Sequence, residues 1–357
     1  MVKDFKISNK KICSSAIPFL IAEIGVNHDG SIEKAKKMIN VAKAAGADCV
    51  KFQTYNPVNL VSLNAKKAPY QIKNTKKNNE SQFQMLKKLR LSYSDHKELI
   101  KHCKKKKILF LSTPYNFDDV EMLNRLKVPA FKLASMHLSE PAFIEHVAKK
   151  KKPVIISTGM SEFSEIKIAV KILKKYLKNK FILMQCTTNY PADYNEANIK
   201  VIMKFKDFFN CHVGYSDHTL NNVSAIAATS FGAVAIEKHF TLNKNLKGPD
   251  HKCSLSPLEL SNFISDIKCA KICLGKKEKT LSSGEKKNIK FMKRSIYTKK
   301  LIKKGQIISI IDLEFKRPAT GISSSKANQI VGKVAKKDIP ANNLLNKKHI
   351  NIRSIDN

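Results

Sequence analysis

From residue 17 to about residue 275, eight short apolar or β-branched runs alternate with eight longer amphipathic stretches, and few folds accept that rhythm. The runs are 17–24, 49–53, 108–113, 130–134, 154–158, 181–186, 212–216 and 233–240. The stretches between and after them lie near 31–46, 94–107, 118–126, 139–150, 161–178, 196–209, 221–231 and 256–274. Strands that are apolar throughout, rather than alternating, belong in a parallel sheet covered on its outer face by crossover helices. Eight such repeats predict an α/β fold of the (β/α)₈ TIM-barrel type. Ser31, Ser94 (with Lys97-Glu98 after it), Ser139-Glu-Pro141 and Ser256-Pro257 serve as helix-start signals.

Two places break the rhythm. Roughly forty residues, Thr54 to Tyr93, separate the second strand from its helix, and a connection of that length on the catalytic side of a barrel predicts a lid or substrate wall. After Gly275 a Lys-rich stretch leads into short β-like pieces with a weak internal repeat. Ile302, Gly305 and Ile307-Ile308 recur at a constant offset as Ile339, Asn342 and Leu344-Leu345. Gly and Asn tolerate positive φ best, so the two segments are expected to share a turn. The expected organisation is a barrel domain over 1–276, a linker over 277–293 and a small β-rich domain over 294–357.

Length and composition narrow the class. A chain of 357 residues can bury a large core. No apolar run has the length of a membrane helix, and the eight scattered cysteines form no Cys-x-x-Cys pair. A reduced, cytoplasmic protein is expected. The formal charge of +37 invites a nucleic-acid reading. However, the lysines spread over nearly every helical stretch and gather where helices end, as at 104–107 and 149–152, and no basic stripe is interleaved with aromatics. The expectation is therefore neither a nucleic-acid nor a membrane partner, with the positive field steering an anionic substrate.

Barrel chemistry sits at the C-terminal ends of the strands. Those ends carry Glu23, Lys51 with Gln53, Ser112-Thr113, Lys132 with Ser135, Ser157-Thr158-Gly159, Thr187 to Tyr190, Ser216-Asp217-His218 and Glu237-Lys238-His239. Two lysines and several hydroxyls suit phosphate and carboxylate oxygens. Two histidines suit a divalent metal acting as Lewis acid, and Glu23 suits proton transfer. Each residue also has a plainer reading. A strand-end His is often only a satisfied polar group, and Lys51 or Lys132 could be a salt-bridged barrel lysine or a Schiff-base nucleophile.

Nine ordered motifs carry a resemblance. They are Ala22-Glu-Ile-Gly-Val-Asn-His-Asp-Gly30, Val50-Lys-Phe-Gln53, Ser112-Thr-Pro114, Phe131-Lys-Leu-Ala-Ser135 and Ile156-Ser-Thr-Gly-Met160. Then come Cys186-Thr-Thr-Asn-Tyr-Pro191, Gly214-Tyr-Ser-Asp-His218, Ile236-Glu-Lys-His-Phe240 and Gly248-Pro-Asp-His251. Together they resemble the sialic acid synthase family, with Lys316-Arg-Pro318 in a tail similar to its antifreeze-like (SAF) domain. Such enzymes condense phosphoenolpyruvate with a 2-acetamido mannose-type sugar and water, giving a nine-carbon 2-keto acid and phosphate. The resemblance implies a transferase in which Lys51, Thr113, Lys132, Ser135, Ser157 and Ser216 hold phosphoenolpyruvate. It implies that His218 and His239 hold Mn²⁺ or Mg²⁺, and that Glu23, Gln53, Tyr190 and Asp250 face the sugar. Arg317 and Phe291 would reach in from the partner of a domain-swapped homodimer.

Some positions depart from the neuraminate pattern. Ala134-Ser-Met-His137 stands where the family tends to carry Gly-Ser-Gly-Glu, Lys77 falls where an Asn is usual, and Thr188, kept in the substrate-binding set, replaces another Asn. The loop segments Tyr70-Gln71 and Glu80-Ser-Gln-Phe-Gln-Met-Leu86 look more like the legionaminic acid synthases, which use a 2,4-diacetamido-6-deoxy sugar. The acceptor is therefore open between N-acetylmannosamine and 2,4-diacetamido-2,4,6-trideoxymannose. Two other readings stand beside the synthase. A Schiff-base aldolase would use Lys132 or Lys51, and a non-catalytic scaffold predicts that Glu23, the two lysines and the two histidines do not converge.

Overall fold

The computed structural model describes residues 2–77 and 79–350; the last seven residues of the expected second domain, and Met1 of the first, lie outside the described set. The chain opens with a hairpin, β1 (Phe5–Ile7) and β2 (Lys10–Ile12), which the sequence reading did not anticipate. The eight expected strands follow as β3 (Phe19–Gly25), β4 (Cys49–Thr54), β5 (Leu109–Pro114), β6 (Phe131–Leu133), β7 (Val154–Ser157), β8 (Phe181–Cys186), β9 (His212–Asp217) and β10 (Ala235–His239). They form one parallel sheet in the order β5-β4-β3-β10-β9-β8-β7-β6, and β5 and β6 lie side by side to close the ring.

Helices α1 (Ile32–Ala45), α5 (Tyr93–Lys106), α6 (Phe117–Arg125), α7 (Pro141–Lys149), α8 (Phe163–Leu177), α9 (Val201–Phe209), α10 (Val223–Ser230) and α11 (Pro257–Cys273) cover the barrel. Their buried faces and the outward side chains of the strands share one continuous apolar core. Helix starts follow side-chain capping, with Ser31, Ser92 and Ser256 each accepting a backbone N–H from the first turn. The start of α5 is therefore Ser92, boxed with Asp95, and not Ser94; Ser94 lies inside the first turn. Helix α7 starts after Glu140, which makes no side-chain cap, and Ser139 closes a preceding 3₁₀ turn.

Inside the ring a second apolar layer fills the N-terminal half. It is built from Phe19, Ile21, Cys49, Leu111, Ala130, Ile155, Ile182, Met184 and Ala235. Phe5, Ile7 and Ile12 of the hairpin join this cluster and close the barrel from below. Burying side chains of that size contributes about 1.5–3 kcal/mol each, so the hairpin is a structural plug.

The long connection after β4 is ordered into three helices, α2 (Pro57–Leu60), α3 (Pro69–Thr75) and α4 (Gln82–Leu89). Val26 and Tyr55 pack with Met85, Leu86 and Leu89 of α4 in a separate small core.

The second compact unit begins at Lys276. Part of the expected linker is helical, as α12 (Ser283–Met292), capped by Ser282 with Glu285. Strands β11 (Ser295–Thr298) and β12 (Leu313–Lys316) pair antiparallel, and α13 (Ala327–Ile330) helps close a core that includes Ile296, Ile302, Ile339 and Leu345. The repeat has a physical basis: Gly305 and Asn342 both hold left-handed φ, at 82° and 57°. Ile302 bridges its own counterpart Ile339, and the bridges Tyr297 to Leu344 and Ile307 to Val334 are equivalent under the same offset. Among the described residues no helix is long and apolar enough to cross a membrane.

Candidate active site

Side chains along a strand alternate between its faces, so the residue two beyond an inward apolar one also points inward. Around this barrel that step changes chemistry in one layer. Ile21 gives way to Glu23, Cys49 to Lys51, Leu111 to Thr113, Ala130 to Lys132, Ile155 to Ser157, Met184 to Cys186, Gly214 to Ser216 and Ala235 to Glu237. All eight polar residues line one cavity of about 370 Å³ at the C-terminal mouth. Gly214 belongs to this packing, because a Cβ there would lie 2.8 Å from the Ala235 carbonyl and 3.2 Å from Ile182 and Met184. The intervening residues point outward. Asp217 and Lys238, paired across β9 and β10, form a buried ion pair of 2.8 Å outside the cavity.

The floor of the cavity is a charge network. Lys51 Nζ lies 3.2 Å from Glu23 Oε2, 3.3 Å from Glu237 Oε1 and 3.3 Å from Thr113 Oγ1. Lys132 Nζ donates to Ser157 Oγ at 2.6 Å and to the Leu133 carbonyl at 3.1 Å, and sits 3.7 Å from Glu237 Oε1. Ser216 Oγ donates to the same Glu237 oxygen at 3.1 Å. The two carboxylates are driven apart in acidity. Burial lifts Glu23 to about 7, against the pull of Lys51 and with the push of Glu237. Burial also works against the Glu237 anion, but Lys132 and Lys51 win and hold it at about 2. One carboxylate is thus fixed as an anion while the other is poised to exchange a proton near neutrality.

Above the floor, a further step of two along the strands brings Gln53, Ala134, His218 and His239 to the wall, and Ser135 follows Ala134. The two imidazole centroids are 5.5 Å apart. His218 Nδ1 donates to the Thr187 carbonyl at 2.6 Å, which leaves Nε2 with its lone pair available. His239 Nδ1 is buried and has no hydrogen-bond partner. Burial and the neighbouring His218 keep His239 well below the usual imidazole range, so it is neutral. A pair of neutral-capable imidazole nitrogens, one of them an orphan, fits a divalent cation whose remaining ligands are substrate or water. Among the described residues no third His, Cys, Asp or Glu completes a protein-only metal cage.

The lid supplies the opposite wall through Leu60, Val61, Tyr70, Gln71, Gln82, Met85, Leu86 and Leu89. Tyr70 stacks on Tyr190 at 5.1 Å, and Tyr190 lies 4.3 Å from His218. Asp250 reaches the cavity from the loop after β10, and burial raises it to about 6. That loop is pinned by His251, which contacts Asp29 at 3.0 Å and Thr241 at 2.7 Å. Gly248 is required there, since a Cβ would fall 2.6 Å from the His251 ring.

Of the sequence candidates, Glu23, Lys51, Gln53, Thr113, Lys132, Ser135, Ser157, Tyr190, Ser216, His218, His239 and Asp250 all meet in this cavity. That convergence is what the scaffold reading excluded. Thr188 is placed beside the wall instead of on it. Its buried Oγ1 covers Gly159 so closely that a Cβ on the glycine would lie 2.1 Å away. Phe291 is exposed on α12, and Arg317 donates to the Met292 carbonyl at 3.1 Å; both belong to the second unit. His137 is core, stacked on Phe143 at 4.6 Å. Glu237 was named only as a polar strand tip, and the signal for it was its register opposite Ser216 on an inward position.

Comparison with known proteins agrees with this geometry. Residues 38–279 match the family described as NeuB family, and residues 293–351 match the SAF domain. The chain is 45% identical to the N,N'-diacetyllegionaminic acid synthase of Campylobacter jejuni over 91% of its own length and 98% of the relative's. It is 39% identical to the protein of the same name from Legionella pneumophila, over 96% and 99% of the two chains. Among solved structures, the N-acetylneuraminic acid synthetase of Leptospira borgpetersenii in complex with citrate superimposes with a TM-score of 0.72 at 31% identity, covering 81% of this chain and 96% of that one.

Proposed function

The chain belongs to the NeuB family, and from that premise we propose that it condenses phosphoenolpyruvate with an N-acetylated amino sugar to make a nonulosonic acid. The observation that carries the reading is one cavity that brings together two lysines, four hydroxyls and two free-edged imidazoles. The names of the relatives favour 2,4-diacetamido-2,4,6-trideoxymannose as acceptor and N,N'-diacetyllegionaminate as product, over N-acetylmannosamine and N-acetylneuraminate. The Schiff-base alternative is not favoured. Both ammonium groups face Glu237, and Lys132 already donates to Ser157 and the Leu133 carbonyl.

In this mechanism Lys51, Lys132, Thr113, Ser135, Ser157 and Ser216 hold the phosphate and carboxylate of phosphoenolpyruvate by charge and donated hydrogen bonds. Gln53, Tyr190 and Asp250 orient the sugar so that its open-chain aldehyde carbon faces C3. His218 and His239 would hold Mn²⁺ or Mg²⁺, which supplies Lewis-acid polarisation of a carbonyl oxygen when bound. As C3 attacks, positive charge grows at C2, and the fixed Glu237 anion stabilises it. Glu23 takes one proton of the water that adds at C2, and the former aldehyde oxygen gains a proton as its hydroxyl forms. The tetrahedral C2 then expels phosphate by C–O cleavage as its own hydroxyl gives its proton to the leaving phosphate and becomes the keto oxygen. The products are a 2-keto acid and inorganic phosphate.

The exposed apolar side chains Phe117, Met136, Met160, Leu220 and Val223, all on the turns and first helix residues that follow the barrel strands, favour a homodimer in which a second copy covers that face. Arg317 and Phe291 of the second copy are the residues proposed to reach it. Six of the eight unbridged cysteines are buried, which favours a reducing compartment, and we propose the cytoplasm. The test is phosphate release from phosphoenolpyruvate with Mn²⁺ and parallel acceptors. Turnover with one sugar that stops in EDTA supports the assignment; no turnover and no binding of phosphoenolpyruvate by folded protein overturns it.

A further inference from the structure

The lid contains a buried cation that touches neither cavity nor barrel. The Lys67 side chain is 0% exposed, and its ammonium contacts Thr75 Oγ1 at 2.9 Å, the Lys77 carbonyl at 2.6 Å and Glu80 Oε2 at 3.1 Å. Those three acceptors use all three donors of a lysine. They come from the end of α3, the turn after it and the approach to α4, whereas Lys67 itself stands just ahead of α3. One ammonium therefore ties both ends of α3 to the start of α4. A buried charge costs heavily unless it is paired, and a surface lid has no packing need for one.

What α3 carries explains the expense. Tyr70 and Gln71 line the cavity. Asn74, from the same helix, donates to the Pro249 carbonyl at 2.6 Å and so grips the loop that presents Asp250. Ala68 N–H donates to Gln71 Oε1 at 3.0 Å, which fixes the amide beside the clamp. The groups that Lys67 organises lie on the lid and on the loop after β10, and none is on the strands that carry Lys51 and Lys132.

We infer that Lys67 is a positioning residue for the acceptor half of the reaction: it holds Tyr70, Gln71 and, through Asn74, Asp250 where the sugar docks, and leaves the phosphoenolpyruvate half untouched. The inference rests on the synthase reading. In the full-length enzyme, Lys67→Met is expected to raise the acceptor KM about tenfold or more while the phosphoenolpyruvate KM stays within about twofold. Amide exchange should quicken across 67–89 and remain unchanged in the barrel strands. Asn74→Ala keeps the clamp and cuts only the Pro249 tether, so it should show the same one-sided rise at smaller size even if the Lys67 variant does not fold. Equal rises in both KM values, or an Asn74→Ala enzyme with unaltered acceptor KM, would overturn the inference. A wild-type protein that binds no phosphoenolpyruvate would overturn the synthase reading beneath it, a distinct outcome.

Discussion

Glu237 Oε1 stands 3.3 Å from Lys51 Nζ, so the carboxylate occupies the place where an anionic substrate's own oxygen would meet that lysine. Removing its charge leaves the pocket more positive and less organised. Glu237→Gln is expected to bind phosphoenolpyruvate no more weakly than wild type, yet to lose about 10²-fold in kcat, because charge stabilisation during the reaction is lost. Calorimetry of binding beside steady-state kinetics separates the two effects.

The two imidazoles carry a different burden. His218→Ala or His239→Ala should reduce turnover by about 10³-fold or more, since the proposed metal position, with only two protein ligands, would not survive losing one. Circular dichroism should remain that of the wild type. Metal content by mass spectrometry should fall in parallel with activity, and substantial turnover in either variant would remove that histidine from the ligand set.

Glu23 sets the acid limb. A carboxyl held at about 7 loses its basic form as pH falls through that value, so kcat/KM should decline on the acid side and the limb should vanish in Glu23→Gln. Stability carries the opposite sign. The folded state binds this proton more tightly than the unfolded chain does, so the group costs stability as pH rises from the ordinary 4.5 through about 7. Denaturant melts should therefore show Glu23→Gln gaining on wild type across that window and holding its gain above it.

Asp217 and Lys238 are 0% and 1% exposed and lie on the outward face of the strands. Lys238 also donates to the carbonyls of Thr219 and Asn221, so the pair anchors the loop that follows β9. Breaking it from one side leaves a buried unpaired charge, and Asp217→Asn or Lys238→Met should cost about 3–5 kcal/mol in urea melts. Activity per folded molecule should fall far less than in the histidine variants.

Gly159 tests the hydroxyl wall. Its N–H donates to Ser135 Oγ at 2.9 Å, while a Cβ would meet that same oxygen at 2.9 Å and Thr188 Oγ1 at 2.1 Å. Gly159→Ala should lower kcat/KM by about tenfold or more through displacement of Ser135. Adding Thr188→Ala to that variant removes the worse clash, and a partial recovery is the expected result.

Much of this was readable from residues alone because a parallel barrel converts strand pattern directly into position. Apolar runs located all eight strands, and their polar ends located Lys51, Lys132, His218 and His239. Helix ends were harder. Lys76, Lys107, Lys127, Lys151 and Lys178 occupy left-handed positions near helix ends where glycine is the usual stop signal, so a lysine-rich chain hides its own punctuation. Ser94 misled for a related reason, since Ser92 and Asp95 make the reciprocal cap two residues earlier than the apolar pattern suggests. Glu237 was named among the polar strand ends, but its place between two lysines escaped because it is defined by cross-strand register, which no local window contains. Thr188 lies past the end of β8 at Cys186, where strand alternation no longer says which way a side chain points.

The plug formed by Phe5, Ile7 and Ile12 has a kinetic corollary. A barrel sealed at one end is a blind tube, filled and emptied through the same mouth. Whatever rests on Lys51 and Lys132 must arrive before the molecule that rests against the lid, and must wait for that molecule to leave before it can escape. A sugar that settles first is a cork: it blocks the deeper seat it was meant to follow, and acceptor in excess becomes an inhibitor competing with phosphoenolpyruvate for the order of arrival.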